Sequence, residues 1–588
     1  MTAAAGTGRR TRALLALAAV AVAFAAADTY VVVLALPDLM AGVGLSVDQL
    51  QQAAPIVSGF LLGYVAMLPL IGRISDVRGR VPVLTAGLVV FAAGSLVTAL
   101  AYDLPSLVVG RFLQGVGGGA LVPATLALVA DLYPVERRGV PLGLVSAVQE
   151  IGSVLGPLLG AVVLAVADWR AIFGLNLVVG GVLAVAVARA GAGAGGRDRA
   201  RPDWPGLALL TALLAGVVLV MVRPEPVLRD LTWGRLYIPV VDLEPSGRWL
   251  TPIGLVTMAL AVALVARCLT ASRPLVDLRG WWRALHEVDL AGSLLLAVAL
   301  GGVVLAFATA DPKVELVSPQ GGWYLLGAAV AAVAFALHAR HAEHPLVPVG
   351  MLRGRAAWGS LLVSLLVGAA LVAALVDVPL VARTTVHPNS QLLAALVLVR
   401  FLVALPVGAV AGGWLVRRVD AGVVTALGMA LAAVAFVLMS RWQHDSLEHL
   451  ASTGVLVLGG LGFGLALAPV NAAVLAATDE TAHGLAGALV VVARMVGMLV
   501  GVSGLTALGL RCYYAEQADL PSLAEVCGPA GRCREYAALL RDAGLAQEQG
   551  VFAGAAACAA LAAVVALVVL SGAPTRGDRH IPQASSLR

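Results

Sequence analysis

Five charged residues stand inside long apolar stretches of this sequence: Asp28, Arg111, Glu150, Arg400 and Arg494. A charge held away from water is expensive, and where one persists it marks either a fixed pair or a pathway. The chemistry open to these five is reversible protonation, because a carboxyl takes up a proton when desolvated and gives it up when an arginine stands beside it. Helix rise puts Glu150, Arg400 and Arg494 about 14–15 Å into their apolar runs, near mid-membrane, and Asp28 and Arg111 at a shared, shallower level. Asp28 and Glu150 are the expected proton carriers, with Arg111 beside Asp28. The plain alternative is a set of static ion pairs that fix helix register.

The elements that must position them are helices in a bilayer. Of 588 residues, 60% are hydrophobic and only 12% charged, too few charges to clothe several soluble domains. Sixteen apolar runs can be counted, the first near 13–36 and the last near 551–572; each is close to the ~20 residues of a helical span, and none shows the alternation of a β-barrel. The expected fold is all-α and polytopic. An even number of spans leaves both termini on one side. Arginines crowd the loops of that side, at Arg9, Arg10 and Arg12, at Arg73, Arg78 and Arg80, and at Arg137 and Arg138. This predicts cytoplasmic termini in the inner (plasma) membrane.

Other chemistries are excluded or weak. Lys313 is the only lysine and Val314 follows it, so no phosphate-binding GK[ST] loop exists, and neither HExxH nor GxSxG occurs. No enzyme activity, cofactor or metal is expected, and arginines scattered between spans predict no nucleic-acid partner. His338, His341 and His344 sit at a helix end, where cationic side chains suit the dipole without any metal. Asn471 lines a pathway or bonds a neighbouring backbone. Cys512, Cys527 and Cys533 fall in the segment 511–550. That side permits disulfides, and Cys527–Cys533 is the expected bridge, the odd third thiol leaving the pairing open.

The runs group as six (1–190), four (191–356) and six (357–588). In the middle, Asp203-Trp204-Pro205-Gly206 and Asp289-Leu290-Ala291-Gly292 each open a pair of runs, and Pro274-Leu275-Val276 and Pro345-Leu346-Val347 close them. A duplicated hairpin is the simplest account.

Three motifs then identify a family. Gly72-Arg73-Ile74-Ser75-Asp76-Val77-Arg78-Gly79-Arg80 resembles the G-x-x-x-D-x-x-G-R signature of the major facilitator superfamily. Arg111-Phe112-Leu113-Gln114-Gly115 is similar to its R-x-x-Q-G. Gly152 to Gly160, with Gly156 and Pro157, resembles the G-x-x-x-G-P-x-x-G of its antiporters. Gly497 and Gly501 repeat the spacing of Gly152 and Gly156 beside Arg494, as the first pair stands beside Glu150; small residues four apart let helices approach closely. Asp28-Thr29-Tyr30, Arg400 to Pro406 and Val491 to Met498 further resemble a mycobacterial family of triacylglyceride transporters, also described as multidrug efflux pumps, that work beside a lipid-carrying lipoprotein.

The resemblance implies two six-helix bundles that rock about a central site and export lipid cargo coupled to protons, as a monomer, with 511–550 as an outward extension that receives cargo or meets a periplasmic lipoprotein. Export of amphipathic drugs by a proton antiporter is the close alternative, and a non-transporting scaffold or enzyme the distant one. The residues alone leave Arg400 and Arg494 both open as Glu150's partner; superfamily packing, fifth helix on the second helix of the other half, favours Arg400. One hairpin in the middle is more than that family carries. Reporter fusions at 223–251 and 271–289 check the span count: sixteen spans require the first loop outside and the second inside, and an inside reading for 223–251 overturns the topology.

Overall fold

A computed structural model of the chain describes residues 2–45, 50–191, 203–230, 232–240, 248–272, 274–308, 318–343, 345–348, 350–387, 390–527 and 534–575. Among these the regular elements are helices. The first six are α1 (Thr2–Gly42), α2 (Leu50–Arg78), α3 (Arg80–Ala99), α4 (Leu104–Leu132), α5 (Gly139–Val166) and α6 (Trp169–Gly191). The middle holds α7 (Trp204–Val222), a single turn α8 (Glu225–Leu228), α9 (Pro252–Thr270), the short α10 (Leu278–His286), α11 (Leu290–Ala308) and α12 (Gly321–His341). Then come α13 (Arg355–Thr384), α14 (Gln391–Leu415), α15 (Ala421–Met439), α16 (Leu450–Ala476), α17 (His483–Ala518), α18 (Leu523–Cys527) and α19 (Arg534–Val569). Fifteen helices are long and apolar enough to cross a membrane. The 28-residue α5 has the same apolar character, so each of the sixteen expected runs falls on a long helix.

Helix ends follow local sequence. Asp103 accepts from the Ser106 N–H at 2.9 Å while Ser106 bonds back, a capping box that starts α4, a device worth about 1 kcal/mol. Inside the helices, glycine decides what touches. A Cβ on Gly152 or Gly156 would run into the carbonyls of Ala23 or Ala27, and one on Gly497 or Gly501 into the backbone of Leu365 or Ala369. The glycine pairs on α5 and α17 therefore seat those helices on α1 and α13 in the same way. α3 packs on α4 and α6, and α15 on α16 and α19, which makes the first and last six helices pseudo-equivalent bundles.

The two bundles meet through α5 with α14 and α2 with α17. Gly139 lies on Gly413, Gly143 on Ala409, and Gly72 on Gly484. All of these positions are at the face of the molecule where the helices leading from the two termini begin and end, here called the termini face; the opposite end is the far face. At 36 residues each, α17 and α19 are about 54 Å long, well beyond a hydrocarbon core of about 30 Å, and they project from the far face.

The two inserted hairpins are built alike. Asp203 accepts from Gly206 N–H and from Arg267 at 2.9 Å; Asp289 accepts from Gly292 N–H and meets His338 Nε2 at 2.8 Å, with Leu346 N–H on its other oxygen. Arg267 holds the Asp203 carboxyl below the usual carboxylate range, with Gly206 and Leu275 N–H groups helping. Arg267 and His338 stand at the same place in each repeat, eight residues before Leu275 and Leu346. The second hairpin docks on the bundles through α11 against α2 and α17, whereas α7 and α9 chiefly contact each other and the loop between them reaches the first bundle through Arg248, 3.8 Å from the centre of the Tyr102 ring. Between the hairpins, α10 is tied to α2: Asp277 pairs with Arg78, whose guanidinium lies 5.7 Å from the centre of the Trp281 ring, over a bare Gly280.

Arg78 holds the Asp277 carboxyl below its usual range, helped by the Gly280 N–H. Because the folded-state pKa is the lower one, the tie is complete above the unfolded value and is lost as pH falls through the depressed one. Arg78→Gln at neutral pH, or acid below the ordinary carboxylate range, should lower the protection of Leu278–His286 against hydrogen exchange, measured relative to the intrinsic amide rate at the same pH. Equal exchange in wild type and variant at neutral pH would dismiss the tie.

Candidate functional site

The signature loop closes a contact that sequence alone does not show. α17 begins after Ala482, which has no side chain to cap it, so the N–H groups of Gly484 and Leu485 are orphans of the first turn. Asp76, at the end of α2 in the other bundle, accepts both, at 2.7 and 3.0 Å. A carboxylate there also suits the positive end of the helix dipole. Arg80 holds Asp76 in place at 2.6 Å, bonds the Ser75 carbonyl at 2.7 Å and reaches Asp131 of α4 at 2.9 Å. Arg73 donates to the Thr481 carbonyl at 3.1 Å. Gly79 supplies the turn between α2 and α3 with φ 95°, a conformation open to glycine.

Deeper in the first bundle lies a sealed polar cluster. Arg111, 1% exposed, donates to Asp28, 2% exposed, at 2.8 Å. Asn176 of α6 donates to the other Asp28 oxygen. Arg111 also bonds Gln114, whose amide reaches Ser95 at 2.8 Å. Gly115 brings α4 onto the Phe60 carbonyl of α2, so that Arg111 lies 4.5 Å from the centre of the Phe60 ring, a cation–π contact. Phe60 stacks on Tyr64 at 5.9 Å.

Tyr64 leads to the second cluster, since it lies in the fields of both Glu150 and Arg494. Glu150 on α5 is buried, and the arginine that acts on it is Arg494 of α17. Arg494 in turn shares a small cleft with Asn471 and Ser364. Arg400 is elsewhere. It is exposed and donates to Thr453 of α16 at 3.0 Å. The expected packing of α5 on α14 is present, but it runs through Ala409 and Gly413, and nine residues at 3.6 per turn put Arg400 about 180° around the helix from Ala409. Arg494, not Arg400, is therefore the arginine set against Glu150.

Other sequence expectations fall as follows. His338 joins Asp289, and His341 Nδ1 lies 2.9 Å from the Leu337 carbonyl; His344 lies outside the described residues. Cys527 is disulfide-bonded, and Cys268, Cys512 and Cys558 are free thiols; Cys533 lies outside the described residues. Of Pro157 only the helical backbone is described. Asp377, near the far end of α13, is 7% exposed and faces Glu548 of α19. Asn176, Tyr64 and Glu548 escaped the reading. Asn176 had a signal, a polar residue in the apolar stretch that opens α6.

Gly79→Ala puts a Cβ into a conformation, φ 95° and ψ 158°, that is essentially open to glycine only, at about 1–3 kcal/mol, and Asp76→Ala strips the cap from α17, at about 0.5–2 kcal/mol. Both should lower the melting temperature of the purified protein, and unchanged melting in both would discard the capping account.

Comparison with known proteins agrees with this architecture. Residues 18–338 match the sequence profile of the Major Facilitator Superfamily. Over 567 residues the chain is 35% identical to the triacylglyceride transporter of Mycolicibacterium smegmatis, covering 93% of this chain and 86% of that protein. It is also 35% identical over 514 residues, 85% of this chain and 83% of the relative, to the triacylglyceride transporter of Mycobacterium tuberculosis. In fold it is similar to the crystal structure of the human organic anion transporter MFSD10, with TM-score 0.53 at 13% identity, over 95% of this chain and 99% of that one. A profile match over more than half of the chain, 35% identity over most of two relatives and a shared two-bundle fold agree: the chain belongs to the major facilitator superfamily.

Proposed function

We propose that this protein is a proton-coupled secondary transporter that exports triacylglycerides or related lipids across the inner membrane by alternating access, its termini in the cytoplasm. The observation that carries the reading is the placing of buried Glu150 in one bundle within the field of Arg494 in the other. In a medium of low dielectric the attraction between carboxylate and guanidinium is strong, and protonation of the carboxyl abolishes it. Uptake of one proton by Glu150 thereby loosens the bundles, and its release draws them together. Asp28 is the second carrier. Arg111 and Asn176 both donate to its ionised form, so a shift of either helix that withdraws those donors turns Asp28 into a proton acceptor. The cargo follows from the relatives named above. The projecting ends of α17 and α19 receive the lipid or meet a lipid-carrying lipoprotein.

Transport in liposomes under a pH gradient tests this, with a triacylglyceride and a cationic dye offered separately. Asp28→Asn and Glu150→Gln should each slow lipid export about tenfold or more, about 1.4 kcal/mol on the limiting step, with normal membrane insertion. Undiminished lipid export by both variants would sink the coupling, and movement of the dye alone would make the protein a drug–proton antiporter.

A further inference from the structure

The second bundle contains a pair of acids that the transport reading does not use. Asp377 lies 22 residues beyond the start of α13, and Glu548 21 residues before the end of α19, so both sit about 32 Å from the termini face, at the far edge of the hydrocarbon core. Their side chains are 7% and 3% exposed and face each other within hydrogen-bonding reach. Two carboxylates have only acceptors to offer, so such a bond exists only when one of the two carries a proton. Among the described residues no donor substitutes for that proton at Glu548 Oε2, which is buried with no partner. Glu150 and Asp28 differ in kind, since each has an arginine.

The surroundings keep the pair isolated. Among the described residues, no arginine, lysine or histidine acts on either carboxyl. Arg383 on α13 and Arg541 on α19 are exposed, Asp542 pairs with His444 at 3.4 Å, and Arg400 and Glu516, on the neighbouring α14 and α17, are exposed. A route to water is nonetheless close. Leu545 and Gln549, which flank Glu548 on α19, line an open groove of about 450 Å³ on the far face, with His444 and Glu516.

We propose that Asp377 and Glu548 form a proton-binding site, one proton shared between two carboxyls, that ties α13 to α19 at the far face. Loss of that proton to the groove leaves two adjacent negative charges in a buried site, which repel, and the tie between α13 and α19 opens. Proton occupancy of this site thereby sets how firmly the far end of α19, with its projecting segment, is held against the second bundle.

Infrared spectroscopy of the full-length protein in phosphatidylcholine liposomes, from about pH 5 to about pH 9, tests the proposal without any cargo. Wild type should show the C=O stretch of a protonated carboxyl at neutral pH that fades as the pH rises. Glu548→Gln and Asp377→Asn should each remove about one protonated carboxyl per chain. Glu548→Gln keeps an N–H donor for Asp377 and therefore keeps the helix tie, so it remains folded if Asp377→Asn does not. Hydrogen exchange at the far end of α19 should rise with pH, beyond the intrinsic amide trend, in wild type but not in Glu548→Gln. A wild-type spectrum without a protonated carboxyl, or one that Glu548→Gln leaves unchanged, overturns the site. Because neither readout involves transport, failure of proton-coupled export would leave this result standing, and the reverse holds too.

Discussion

A charged group inside a membrane has no water to hold it, so each one must find its counterpart in the protein. That constraint organises this molecule. Arg111 is fully withdrawn from solvent and still has Asp28, Gln114 and the face of Phe60 around it. Arg80 has Asp76, Asp131 and a backbone carbonyl. The helices that supply these partners are forced into particular rotations about their axes, and the glycines at their crossings let the backbones come close enough for the partners to meet.

The same constraint distinguishes contacts within a bundle from contacts between bundles. Asp28, Arg111 and Asn176 belong to one bundle and join its helices to one another. Asp76 and Glu150 reach across, one to a helix N-terminus and the other to an arginine. Asp76 is held by Arg80 whichever way the bundles move, whereas its bonds to Gly484 and Leu485 last only while α17 remains beside α2. A cap borrowed from another body is a bond that can be broken and remade without either body unfolding.

Much of this is legible along the chain. Run lengths and arginine placement mark the sixteen long helices, and Gly79 in the signature announces a turn that the left-handed φ requires. Asp28 and Arg111 share a depth, which is a linear quantity, and they are bonded. What the chain order hides is rotation and neighbourhood. Arg400 has the right depth for Glu150 and the wrong side of its helix. Asp377 draws no notice in the sequence because nothing in α13 reveals that Glu548, more than one hundred and fifty residues later, stands against it. Tyr64 looks like any aromatic residue in an apolar helix until Phe60 and Arg494 are seen on either side of it.

The second hairpin touches α2 in one bundle and α17 in the other, but α10, which leads into it, is tied by Asp277 and Trp281 to Arg78 of α2. Kinematically it is a passenger of the first bundle. Any separation of α2 from α17 must therefore also change the α11–α17 surface, while the first hairpin holds to the first bundle where Arg248 lies on the Tyr102 ring.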